Sequence, residues 1–139
     1  MIKRVGETMG RRELREHVFR LLFRVEFHDA EDLLEQSEFY VEHIKEPEDK
    51  DIAYITEKVQ RITGLLPQID AVINAAVSGW TTERMGKVEL TIIRLALYEM
   101  KYDDDVPVSV AINEAVELTK KYGSDEAPSF VNGVLAKLA

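Results

Sequence analysis

The sequence predicts an all-α protein, on three observations. Residues 88–102 are apolar around most of a helical circumference, the other apolar segments repeat at spacings of three and four, and glycine or proline separates most segments. In the first of these, Val88, Ile92, Leu95 and Ala96 share one face while Leu90, Ile93, Leu97 and Met100 fill most of the remainder. A helix apolar nearly all round belongs at the centre of a bundle. With Glu89, Arg94 and Glu99 along it, the segment is too short and too charged for a bilayer, which takes about 20 predominantly apolar residues. Those three charges are expected at the rim or in pairs, because an unpaired buried charge is strongly destabilising.

Taken in order, residues 1–10 have no period and contain two glycines, which reads as a flexible arm. A first helix is expected over residues 11–27, with Leu14, Val18, Leu21, Leu22 and Val25 on one stripe. A second, over residues 32–44, carries Leu33, Leu34, Val41 and Ile44, with Phe39 or Tyr40 between them, beneath an acidic face. Pro47 interrupts the pattern, since proline disfavours helix in the residue before it. A third helix follows with Ile52, Ile55, Val59 and Ile62 in register and Gly64 as its end. Pro67 can open a fourth, carrying Ile69, Val72, Ile73, Ala76 and Val77 and ending at Ser78 and Gly79, or the two form one helix kinked between Gly64 and Pro67. Trp80 falls at a junction as a packing anchor, with Thr81 or Thr82 as N-cap for the central segment. Asp103, Asp104, Asp105 and Pro107 form a turn, after which residues 109–122 are helical with Ala111, Ile112, Ala115, Val116 and Leu118 inward and Gly123 as terminator. A last helix starts near Pro128 with Phe130, Val131, Val134, Leu135 and Leu138 in register, and Phe130 in its first turn reads either as a staple under the preceding loop or as an exposed stacking platform. Gly133 inside it costs about 1 kcal/mol relative to alanine and asks for a reason, such as close approach of another helix or of a ligand.

At 139 residues the chain is one domain of ordinary size, able to form a core without disulfides or metals. It contains no cysteine, which removes thiol chemistry and weakly favours the cytosol, and no apolar leader opens it, so a cytoplasmic location is expected. The net charge of −8 conceals an asymmetry: residues 1–24 hold seven basic against three acidic side chains, so the remaining 115 residues carry −12. An acidic body with one basic end implies a localised anion-binding surface.

That surface has a candidate location on the first helix. At about 100° per residue with Arg11 at zero, Arg15 falls near 40°, Phe19 near 80°, Arg12 near 100° and Phe23 near 120°, while the core stripe centres near 320°. Forked guanidinium donors suit phosphates and aromatic faces stack on unpaired bases, so this flank has the composition of a single-stranded nucleic-acid surface. It equally suits a solvated basic face whose phenylalanines belong to the edge of the core. Enzymatic chemistry finds no support. His17, His28 and His43 read as solvated residues on charged helices, and no nucleophile elbow or phosphate-cradling glycine loop is present. Ten carboxylates within residues 29–51 lack the alternating ligands of a calcium loop, so no metal or other cofactor is expected.

RRELRE at Arg11–Glu16, VELTIIRLALYEM at Val88–Met100, VPVSVAINEAVELTKKYG at Val106–Gly123 and FVNGVLAKL at Phe130–Leu138 together resemble the NusB family of transcription antitermination factors. The resemblance extends over almost the whole chain. It implies an all-helical, NusB-like fold of about seven helices in two small bundles forming one compact domain, and no catalysis. It further implies a complex with NusE, a small-subunit ribosomal protein, which binds the boxA element of nascent ribosomal or viral RNA and helps RNA polymerase pass terminators. Carried over by position, Arg11, Arg12 and Arg15 would hold RNA phosphates, and Phe23 would lie close to both RNA and partner. Tyr122, Glu126 and Phe130 match RNA-contacting positions, and Glu89 corresponds to the NusE interface. The expected RNA surface brings the arginines of the first helix beside the FVNG segment. Arg11 and Arg12 are followed here by Glu13, where family members often continue the basic run, and Pro128 and Ser129 stand at positions that are often polar or basic. A helical docking scaffold without RNA binding of its own is the alternative, and a homodimer is left open.

Overall fold

The computed structural model describes residues 9–26, 33–44, 48–77 and 81–139, which contain seven α-helices, one 3₁₀ turn and no strand. They divide into two compact units, Met1–Thr63 and Gly64–Ala139. Among the described residues, no helix is long and apolar enough to cross a membrane. Asp32, Trp80 and the Ser78–Gly79 stop lie outside the described residues, as do the side chains of Val25, Leu33 and Leu34 and residues 1–8 of the expected arm.

The first unit contains α1 (Arg11–Glu26), α2 (Leu33–Glu42) and nearly all of α3 (Asp49–Gly64). From the α1 stripe Val18, Leu21 and Leu22 are buried, and Phe19 joins them at 3% exposure. α2 packs against α1. Two polar links reinforce that contact: the Tyr40 hydroxyl lies 2.6 Å from His17 Nδ1, and the Arg24 guanidinium donates to Gln36 Oε1 while covering the Phe39 ring at 4.3 Å. In α3, Ile55, Val59 and Ile62 are fully buried at the expected spacing. The end of the expected loose arm is fixed here, because Met9 is buried and its backbone N–H donates to Asp51 Oδ2 at 2.8 Å. A buried carboxylate needs such donors, since desolvation without them is costly.

The second unit is built round α5 (Lys87–Tyr102), where every residue from Leu90 to Glu99 is buried. α6 (Val108–Tyr122) and α7 (Ala127–Leu138) pack on it and on each other, and α4 (Leu66–Ala76) packs on α5 and α7. Each fully buried leucine or isoleucine contributes about 1.5–3 kcal/mol. Arg94 is held by a bidentate pair with Asp70 of α4, Nε to Oδ1 at 2.9 Å and Nη2 to Oδ2 at 2.7 Å, which is how an arginine persists at 8% exposure in this helix. α3 and α4 are separate helices parted by Leu65, with Pro67 in the first turn of α4, so the kinked single helix does not form. Val72, expected inward, is 41% exposed.

The start of α5 also differs from expectation. Thr82–Arg84 forms the 3₁₀ turn preceded by Thr81, and the N-cap of α5 is Gly86. Asn74 holds that turn, its Oδ1 accepting the Thr82 N–H at 2.8 Å, so the threonine serves the approach to the helix instead of its cap. After α5, the Asp105 N–H donates to Asp103 Oδ1 at 3.1 Å, an Asx-type turn that explains an aspartate at its first position. Gly123 ends α6 as expected, with its N–H on Thr119 O at 2.8 Å. Its backbone is extended, so the glycine answers to space: a Cβ would lie 2.7 Å from Ala127 Cβ and 3.0 Å from Thr119 O.

Candidate nucleic-acid interface

In the first unit the candidate surface is the opening turn of α1. Arg11 and Arg12 are exposed there, at the end of the helix where the unpaired N–H groups give a positive partial charge. Cations are disfavoured at that end by about 0.3–1 kcal/mol, whereas anions are favoured. Two arginines at this position therefore weaken the helix locally and strengthen it as a place for phosphate. Glu13 in the same turn partly offsets them. Arg15 departs from the expected surface: at 7% exposure its side chain is buried, so it does not present a guanidinium to solvent as the other two do. Phe19 is in the core, which favours the edge-of-core reading for that ring, and Phe23 is half-buried beside it at a centroid distance of 6.1 Å. Arg20 is exposed and reaches Glu16 at 3.5 Å.

The second unit brings three of the expected residues into one place. Glu89 of α5, Glu126 at the N-cap of α7 and Phe130 in its first turn line a groove of about 340 Å³, together with Met85, Gly86, Ser124 and Ala127. Two elements create it. The 3₁₀ turn delivers Met85 and Gly86 to the head of α5, and the short link after Gly123 delivers the head of α7. The groove thus combines an aromatic ring with two carboxylate acceptors, a composition that receives base edges with amino groups or the basic side chains of a protein. It repels bare phosphate. Tyr122 closes α6 half-buried, with Lys121 Nζ 5.6 Å from its ring centroid, and is not among the residues lining the groove.

A second groove of about 560 Å³ runs along α6 and α7, lined by Ile112, Asn113, Val116, Ser129 and Asn132 among others. None of the expected site residues lies in it. On the same helix Gly133 is exposed, and among the described residues a Cβ there would meet nothing within 4 Å, so close packing against another described helix is not the reason for that glycine. Sequence reading missed Met85, Gly86, Ser124 and Ala127 as groove residues. The one available signal was the spacing of Gly86 and Glu89, which is that of a cap and its third helical residue. Among the described residues, no group of three or more histidine, aspartate or glutamate side chains could hold a metal ion.

Comparison with known proteins extends the geometry. Residues 12–139 match the model of the NusB family. The transcription antitermination protein NusB of Agathobacter rectalis is 53% identical over 131 residues, covering 94% of this chain and all of that protein. Among solved structures, T. maritima NusB superposes with a TM-score of 0.83 at 31% identity, covering 96% of this chain and 92% of the other. A chain from the crystal structure of the antitermination factors NusB and NusE in complex with dsRNA superposes with a TM-score of 0.75 at 26% identity, covering 92% of this chain and 94% of the other.

Proposed function

This chain belongs to the NusB family, and on that premise we propose that it is a non-catalytic transcription antitermination factor that pairs with NusE and binds boxA RNA of nascent ribosomal transcripts. It would act in the cytoplasm, within the antitermination complex of RNA polymerase. In this reading Arg11 and Arg12 supply salt-dependent attraction to phosphates, while Tyr122 and Phe130 hold unstacked bases and Glu126 accepts from a base edge. Glu89 faces NusE, and Phe23 is assigned to contact with RNA and partner. Arg15, being buried, is left out of the phosphate-contacting set. The acidic body limits binding of RNA elsewhere.

The observation that carries the reading is the groove in which Glu89, assigned to the partner, stands with Glu126 and Phe130, assigned to the RNA. A shared groove makes binding of the two ligands interdependent: each orders walls that the other uses. Calorimetric titration of NusE into the protein, with and without a boxA oligonucleotide, tests it. The oligonucleotide should tighten NusE binding. If affinity for NusE is the same in both titrations, the docking-scaffold alternative, favoured by the buried Arg15 and the acidic body, replaces it.

A further inference from the structure

Gly86 sits at the N-cap of α5 with φ −60° and ψ 146°, an extended conformation open to any residue, so the backbone does not call for glycine. Nor does capping: no side chain caps this helix, and serine, threonine, asparagine or aspartate would serve an N-cap at least as well. What the position does exclude is a Cβ. The three nearest atoms to one would all belong to the Glu89 side chain, led by Oε2, with Cδ at 3.4 Å and Oε1 at 3.9 Å. Glu89 is the third residue of the helix, from which a glutamate side chain can reach back over the cap toward the positive end of the dipole. Its carboxylate therefore occupies the space that any other residue at position 86 would fill. The obstructing atoms are the free end of a flexible side chain, so a Cβ would be accommodated by Glu89 swinging away, with the backbone left as it is.

We infer that Gly86 is a positioning residue whose missing side chain keeps the Glu89 carboxylate folded over the head of α5, at the groove shared with Glu126 and Phe130. The group this carboxylate would receive is a cationic or N–H donor side chain of the protein partner, a role that rests on the assignment of Glu89 to the NusE interface. Carbon-detected NMR of the Glu89 side-chain carboxyl in the intact chain, read beside calorimetric titration with NusE, tests the inference in Gly86→Ala, Glu89→Ala and the double variant. Gly86→Ala should move the Glu89 carboxyl resonance while the melting temperature stays within about 4 °C. It should weaken NusE about fivefold, as expected for a half-buried charge contact near the surface, and should add nothing in the Glu89→Ala background. Gly86→Ala with Glu89→Asp, one methylene shorter, should recover part of the affinity. An unmoved Glu89 resonance in Gly86→Ala, or an equal loss with and without Glu89, overturns the inference. If the resonance moves but Glu89→Ala binds NusE normally, positioning by Gly86 stands and the partner role of Glu89 falls.

Discussion

Replacing Arg11 and Arg12 together with alanine should change how RNA affinity responds to salt, by an amount the structure sets. Both side chains are exposed on the opening turn of α1, whereas Arg15 is buried, so two phosphate contacts are removed instead of three. A single strand releases about 0.7 counterions per phosphate neutralised, so log K against log salt should become shallower by about 1.4. Between about 50 and 200 mM salt the native chain should then lose about sevenfold more affinity than the double variant. Fluorescence anisotropy of a labelled boxA oligonucleotide with NusE present, at four or more salt concentrations, gives both slopes. Circular dichroism should show the helical content of Arg11→Ala/Arg12→Ala unchanged. Arg15→Ala is the contrasting variant: it should lower the melting temperature and leave the slope of the folded protein as it was. Equal slopes for the native chain and the double variant would refute the phosphate assignment, and a further change of about 0.7 from Arg15→Ala would show that burial does not exclude that side chain from RNA.

Three other outcomes follow from the second unit. Arg94→Ala should destabilise the fold by about 2–4 kcal/mol in urea unfolding, below the upper range for breaking a buried pair because Asp70 keeps 24% of its side-chain surface. Gly123→Ala should cost about 1–3 kcal/mol by thermal melting, since its methyl group would crowd Ala127 Cβ and Thr119 O, neither of which can swing aside. Gly133→Ala should stabilise the free protein by about 1 kcal/mol, because it removes a helix-interior glycine at an open position. If that variant also loses affinity for NusE or RNA, a ligand is what keeps the glycine there; unaltered binding removes that explanation.

The sequence made most of the helical framework legible because burial imposes a period. Leu90 to Leu97 had to be central, and the spacings of Ile55, Val59 and Ile62 or of Val131, Leu135 and Leu138 leave one inward face each. What it could not reveal are choices that period does not encode. Arg15 lies about 80° from the centre of the α1 stripe, at the border where a long side chain can turn either way, and it turns inward. Nothing local marks Asp70, because its bidentate bond to Arg94 depends on a residue 24 positions away. The cap of α5 was misplaced at Thr81 or Thr82 because threonine is the better cap in isolation, and Asn74 claims Thr82 for the preceding turn. Of the candidate site, Glu89, Glu126 and Phe130 emerged as separate positions carried by resemblance. Their meeting in one groove is a product of tertiary packing, and the spacing of Gly86 from Glu89 acquires meaning only once the helix start is known.

The bond from the Met9 amide to Asp51 carries a consequence for how this protein tolerates change. Its donor is main chain, so nearly any amino acid at position 9 can supply it, and only an imino acid there or removal of the carboxylate takes it away. The hydrogen bond thus survives replacement of Met9, and what a replacement puts at stake is the burial of its side chain. With Gly10 alone between Met9 and Arg11, the opening guanidinium groups can wander little before any polyanion arrives.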